Sequence, residues 1–138
     1  MKNTKKYFLI LLILSGSISL FAQTDTSYTY SYQLEGEAWQ NWDSINDVWM
    51  NQVYFQCLKA NKLKMSCAHC SSIYIDAGFT IDGSGKLIDI KIFKEKICAE
   101  KASEKLKQCF FGYYKNLVFP KALHNRKIYV KLGTGLKC

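Results

Sequence analysis

The chain has 138 residues, enough for one domain and not for two. Its formal net charge is +8, a mild basic balance that suits an anionic membrane face or acidic partners, though such a bias is usually only a solvated surface. No Lys/Arg cluster interleaves with aromatics along the sequence, which argues against nucleic acid as a partner.

The first residues read as a targeting segment. Lys2, Lys5 and Lys6 form a positive n-region, and Tyr7 to Leu14 is an unbroken apolar run. Ser15-Gly16-Ser17 breaks it, and Phe21-Ala22 before Gln23 offers a small residue for cleavage. These features predict a secretory signal peptide over 1–22. Tyr7 to Ala22 is 16 residues with three Ser and one Gly. That is short of the ~20 a spanning helix needs, so no membrane span is expected after cleavage. No Cys follows the apolar run closely, so no lipoprotein-type anchor is expected. Loss of 1–22 removes three Lys and no acid and leaves 116 residues at +5. The expected location is exported, periplasmic or secreted.

All six cysteines, Cys57, Cys67, Cys70, Cys98, Cys109 and Cys138, fall after the leader. An even count in a small exported chain implies a framework of structural disulfides. Six allow 15 pairings, and the sequence does not choose among them. A core this small is marginal without staples.

Residues 23–42 form a polar, tyrosine-rich arm. Tyr28, Tyr30 and Tyr32 alternate with Thr29 and Ser31, as in an edge strand with its tyrosines on one face; a mobile arm is the other reading. Residues 43–138 are expected to make a single disulfide-stapled domain. Its first element is a helix over 44–60, with Ser44 as N-cap and Asp47 three residues on. Ile45, Trp49, Val53 and Cys57 recur at intervals of four, and Val48, Phe55 and Leu58 widen that stripe.

Two alternating runs follow. Ile73, Ile75, Ala77, Phe79 and Ile81 are apolar at every second position, which is the period of a strand with one buried face. Asp82-Gly83-Ser84-Gly85 supplies a tight turn, and Leu87 to Phe93 alternates again. Together they predict a β-hairpin. A lone hairpin is marginal in water, so a cover is required. The helix predicted over 99–113 is the natural one, with Ala99, Ala102, Leu106, Cys109, Phe110 and Tyr113 on one face. Phe119-Pro120 ends that region. A third strand is predicted over Ile128-Tyr129-Val130-Lys131-Leu132, closed by Gly133 and Gly135. No internal repeat or low-complexity linker is present, and there is one Pro. The expected fold class is α+β: a small two-layer sandwich with a three-stranded antiparallel sheet (β-β-α-β) and an additional N-terminal helix.

The stretch Phe79-Thr80-Ile81-Asp82-Gly83-Ser84-Gly85-Lys86-Leu87-Ile88-Asp89 resembles the hairpin of the TonB C-terminal domain family. The likeness continues through the predicted helix, Phe119-Pro120-Lys121-Ala122, Asn125-Arg126-Lys127 and the strand 128–132, so it spans residues 73–132. Arg126 stands where the family's turn glycine is expected, and six cysteines are not typical of it. The resemblance implies a periplasmic domain whose last strand, Ile128 to Leu132, pairs with an extended segment of an outer-membrane receptor. In that mode main-chain hydrogen bonds give affinity and alternate side chains give selectivity. A full energy transducer also needs a retained membrane helix and a Pro-rich spacer, and neither is evident in the sequence. A stand-alone, non-enzymatic interaction module is the expectation.

Met65 with Cys67-Ala68-His69-Cys70 also resembles the M-x-C-x-x-C box of heavy-metal-associated domains, where two thiolates hold a soft ion. In those domains, and in thioredoxin-like redox sites, the motif opens a helix; here a predicted strand follows. A zinc site could combine Cys67 and Cys70 with Cys57 or Cys138, or with His69. The order of readings is structural disulfides, then copper or zinc at Cys67 and Cys70, then redox chemistry. No cofactor is expected under the first. His69 and His124 are the only histidines and have no visible Ser or Asp partner, so nucleophilic catalysis has no support. Asp76, Asp82 and Asp89 read as outward strand or turn residues rather than an acid cluster. Gly78 to Gly83 has Walker spacing, but Ser84 stands where Lys is required. Trp39, Trp42 and Trp49 read as core before they read as a partner surface.

Overall fold

The computed structural model describes residues 27–64, 72–99 and 102–135. Its elements are β1 (Thr29–Tyr30), α1 (Gly36–Val48), a π-helical turn (Trp49–Val53), α2 (Tyr54–Ala60), β2 (Ser72–Ile81), β3 (Leu87–Cys98), α3 (Ser103–Lys115) and β4 (Lys127–Gly135). The apolar alternation of β2 puts that strand at the centre. Ile73, Ile75, Ala77, Phe79 and Ile81 are all buried, and β2 pairs antiparallel with β3 on one side and β4 on the other. Ile128, Val130 and Leu132 of β4 extend the same apolar face. The helices lie on it: Trp42 of α1 packs on Phe79, and Tyr114 of α3 packs on both.

The sheet corrects the three-stranded antiparallel expectation. It has four strands in the order β1-β4-β2-β3 and is mixed, because β1 pairs in parallel with β4. Thr29 lies opposite Ile128 and Tyr30 opposite Tyr129. A two-residue strand carries no readable period. Its parallel partner lies at the other end of the chain, so no turn signal announces the pairing. What anchors it is aromatic contact: the Tyr30 and Tyr129 rings are 4.8 Å apart.

β3 runs to Cys98, five residues past the predicted end at Phe93. The register shifts between Asp76 and Ala77: Asp76 faces Lys94 and Ala77 faces Ile92. Phe93 is the extra residue of a β-bulge, which breaks the alternation there and leaves the polar run after it unreadable as a strand.

The first helix also starts earlier than predicted. α1 begins at Gly36 after the N-cap Glu35, and Ser44 is an exposed mid-helix residue rather than a cap. Leu34, Ala38 and Trp42 are buried at spacing of four, so the apolar stripe already runs through this turn. The π turn rotates the chain so that Tyr54, Cys57 and Leu58 continue the buried face of Trp42 and Trp49. Trp49 is fully buried, with Phe110 edge-on at 4.7 Å. Tyr113 Oη donates to the Ile45 carbonyl at 2.8 Å and ties α3 to α1. α3 buries Leu106, Phe110, Phe111 and Tyr114, one position round from the face predicted with Tyr113.

The β2–β3 turn is tied at both levels. One carboxylate oxygen of Asp82 accepts from the Ser84 N–H and Oγ at 2.8 Å each and from the Lys86 N–H at 2.9 Å. The Lys86 N–H foremost, then the Ser84 hydroxyl, holds the Asp82 carboxyl below its ordinary 3.8. A depressed folded value contributes stability that is present above the unfolded value and lost as pH falls through the folded one. Urea midpoints taken from about pH 6 to about pH 2 should therefore fall less steeply for Asp82→Asn than for the wild type. Superimposable pH profiles would show that the turn does not contribute.

Candidate functional site

The predicted docking residues all lie on β4. Ile128, Val130 and Leu132 point into the helix layer, while Tyr129 and Lys131 point to the opposite, helix-free face. β4 is not the free edge strand that the sequence suggests. Its inner side is bonded to β2 throughout, and β1 occupies its outer side at Ile128 and Tyr129. Beyond Tyr129, from Val130 to Gly135, no described strand lies on that outer side. The candidate edge is thus about two-thirds of β4, beginning where the chain leaves it at Ser31 in a 3₁₀ turn.

Tyr129 is held in place by its neighbours. Partial burial, and next the charge of Asp76 and a hydrogen bond to it, push the phenol above its ordinary 10.0. The phenol therefore stays protonated and donates to the Asp76 carboxylate. Asp76 is outward-facing as predicted, but it is engaged across the sheet rather than idle.

Cys57 and Cys109 form a disulfide, with Cα atoms 6.0 Å apart, and so join α2 to α3. This removes Cys57 from any zinc site with Cys67 and Cys70. Cys98 is also disulfide-bonded. Cys67, His69, Cys70 and Cys138, and with them the copper or zinc reading, lie outside the described residues. Among the described residues no group of three His, Cys, Asp or Glu is placed to hold a metal ion. His124 is half-buried, and its Nε2 lies 2.8 Å from the Phe119 carbonyl oxygen. Of the three tryptophans, Trp42 and Trp49 are core and Trp39 is exposed.

Sequence reasoning missed what the helix-free face assembles. Tyr32 stacks on Tyr30, Tyr30 meets Tyr129, Tyr129 meets Phe93, and Phe93 meets Tyr28, with centroid separations of 5.2, 4.8, 5.2 and 5.8 Å. Phe93 and Tyr129 belong to strands on opposite sides of β2, and they touch because β2 presents Gly78 between them. A Cβ at Gly78 would meet the Tyr28 ring at 2.4 Å, so the glycine is what lets that ring lie on the sheet. The bulge puts both Phe93 and Lys94 on this face. The alternation Tyr28-Tyr30-Tyr32 was the one visible signal.

Compared with protein-family models, curated proteins and solved structures, the chain matches none. The likeness to TonB C-terminal domains thus rests on the residues quoted for it. Among the described residues no helix is long and apolar enough to cross a membrane.

Proposed function

We propose that this protein is an exported, non-enzymatic interaction module resembling the TonB C-terminal domain, and that it takes an extended partner segment at the outer edge of β4. The partner class is the periplasm-facing segment of an outer-membrane receptor. The observation that carries this reading is the stretch Val130–Gly135, whose outer side has no described strand beside it. An added strand would complete its ladder, and Lys131 on the helix-free face would offer selectivity. β1 supports the reading too, since it already adds a short strand at the adjacent positions.

Successive N–H groups of a strand point to opposite edges. Of Lys131→Pro and Thr134→Pro, one therefore removes a bond to β2 and the other an N–H of the outer edge. The first should lower Tm and the second should leave it nearly unchanged. The Tm-neutral variant should lose binding of synthetic receptor-segment peptides, which in the wild type should protect amides between Val130 and Gly135 from hydrogen exchange. Peptide binding without such protection, or unaltered in the Tm-neutral variant, would overturn the edge reading.

A further inference from the structure

The helix-free face of the sheet is separate from the β4 edge, and it has a chemistry of its own. The five-ring row from Tyr32 to Tyr28 crosses the strands from β1 to β3. Tyr32 is 69% exposed and Phe93 39%, so both side chains meet solvent. Beside the row, Tyr74 is 38% exposed and lies over Gly133.

Lysines surround these rings. The register places Lys91, Lys94 and Lys96 of β3 opposite Gly78, Asp76 and Tyr74, and so on the helix-free face. It places Lys127 and Lys131 of β4 opposite Thr80 and Asp76 on the same face. Lys91 Nζ lies 5.1 Å from the Phe93 ring centroid, and Lys127 Nζ 6.0 Å from that of Tyr28. Against five lysines the face carries two acids, Asp76 and Asp89, and Asp76 is already engaged by Tyr129. This face thus combines exposed rings with an excess of positive charge. The lone Glu95 on the helix side is paired with Lys107 of α3 at 2.6 Å.

We infer that this face binds an acidic polysaccharide, with pyranose rings stacked along the aromatic row and uronate or sulfate groups on the flanking lysines. Two features select this occupant. Flat, weakly polar rings in a row match the C–H faces of successive sugars, and an excess of positive charge beside them requires an anionic chain rather than a neutral one. Lysines act as point charges, which suits carboxylates spaced along a chain. The disulfides fit an oxidising compartment.

The test uses the full mature chain with polygalacturonate as probe, followed by calorimetry and by Tyr fluorescence. Binding should weaken steeply as salt is raised and should be absent for neutral dextran. Tyr32→Ala, at an exposed position, and the triple variant Lys94→Ala, Lys96→Ala, Lys131→Ala should each keep the wild-type Tm. Each should lose about tenfold or more in affinity, because stacking and charge are both removed from the contact. Tyr32→Ala, which lies off the Val130–Gly135 edge, should bind the receptor-segment peptides normally, which separates this proposal from the edge reading. Equal binding of dextran, unchanged affinity in the lysine variant, or preference for single-stranded DNA or for anionic lipid vesicles over polygalacturonate would each overturn it.

Discussion

Replacing Cys57 and Cys109 together by alanine should cost about 4 kcal/mol of stability, the largest loss expected from any change outside the buried aromatics. The bridge joins positions 52 residues apart in sequence. Severing a loop of that length frees the unfolded chain by roughly this amount in the chain-entropy account. The folded state suffers as well. Cys57 is 1% exposed, and it packs in the core with Leu58 and Tyr54 on the helix that faces α3. A domain of this size has a stability of about 5–15 kcal/mol in all, so the variant should sit near the edge of folding. Urea titration of the purified protein, wild type against the double variant, measures the difference. A shift of under about 1 kcal/mol would mean that the helix layer holds itself together and that the bridge is redundant. The same experiment bears on function. The helix layer is what supports β4 from behind, through Val130 and Leu132, so weakening it should raise amide exchange along β4 before global unfolding.

The parts of the fold legible in the sequence are those whose signals are local. The hairpin of β2 and β3 is written in alternation and in Asp82-Gly83-Ser84-Gly85, and the turn forms as its residues require. β4 is legible for the same reason, and the covering role of α3 follows from its apolar face. Non-local features were not legible. β1 is two residues held by the Tyr30–Tyr129 contact across nearly the whole chain, and this alone turns an antiparallel three-stranded sheet into a mixed four-stranded one. The bulge at Phe93 hides the second half of β3 because one extra residue inverts the period. The candidate edge was visible as strand 128–132, yet its partial occupation by β1 was not. The aromatic and basic face was invisible, since its residues come from four strands and meet only when Gly78 leaves room between β3 and β4. The pairing of Cys57 with Cys109 had to come from geometry, because 15 pairings were open.

Gly85→Ala should be nearly as damaging as loss of the disulfide, at about 3 kcal/mol, and the reasons are steric on two counts. Gly85 has φ +81, where an L side chain costs roughly 1–2 kcal/mol. Its Cβ would also lie 2.5 Å from the Phe119 carbonyl oxygen and 2.6 Å from His124 Nε2. That oxygen is backbone and cannot swing aside. It is fixed by His124 Nε2 at 2.8 Å, while the Phe119 N–H donates to the Gly85 carbonyl at 2.8 Å. Relief would break the tie between the hairpin turn and the segment that leads into β4. The same knot includes the Asn125 N–H to the Asp82 carbonyl at 3.2 Å and the Ile81 N–H to the Arg126 carbonyl at 2.9 Å. The damage should therefore spread to the start of β4, with faster amide exchange at Lys127 and Ile128 as well as a lower urea midpoint. Gly78→Ala is the informative comparison. Its Cβ would also clash, at 2.4 Å, but with the Tyr28 ring, a side chain that can swing away, and its φ is not in the left-handed region. That variant should lose less stability than Gly85→Ala, while dislodging Tyr28 from the aromatic row. Equal stability losses at the two glycines would mean that the knot around Phe119 yields as easily as a surface tyrosine, and that β4 is positioned by its pairing with β2 alone.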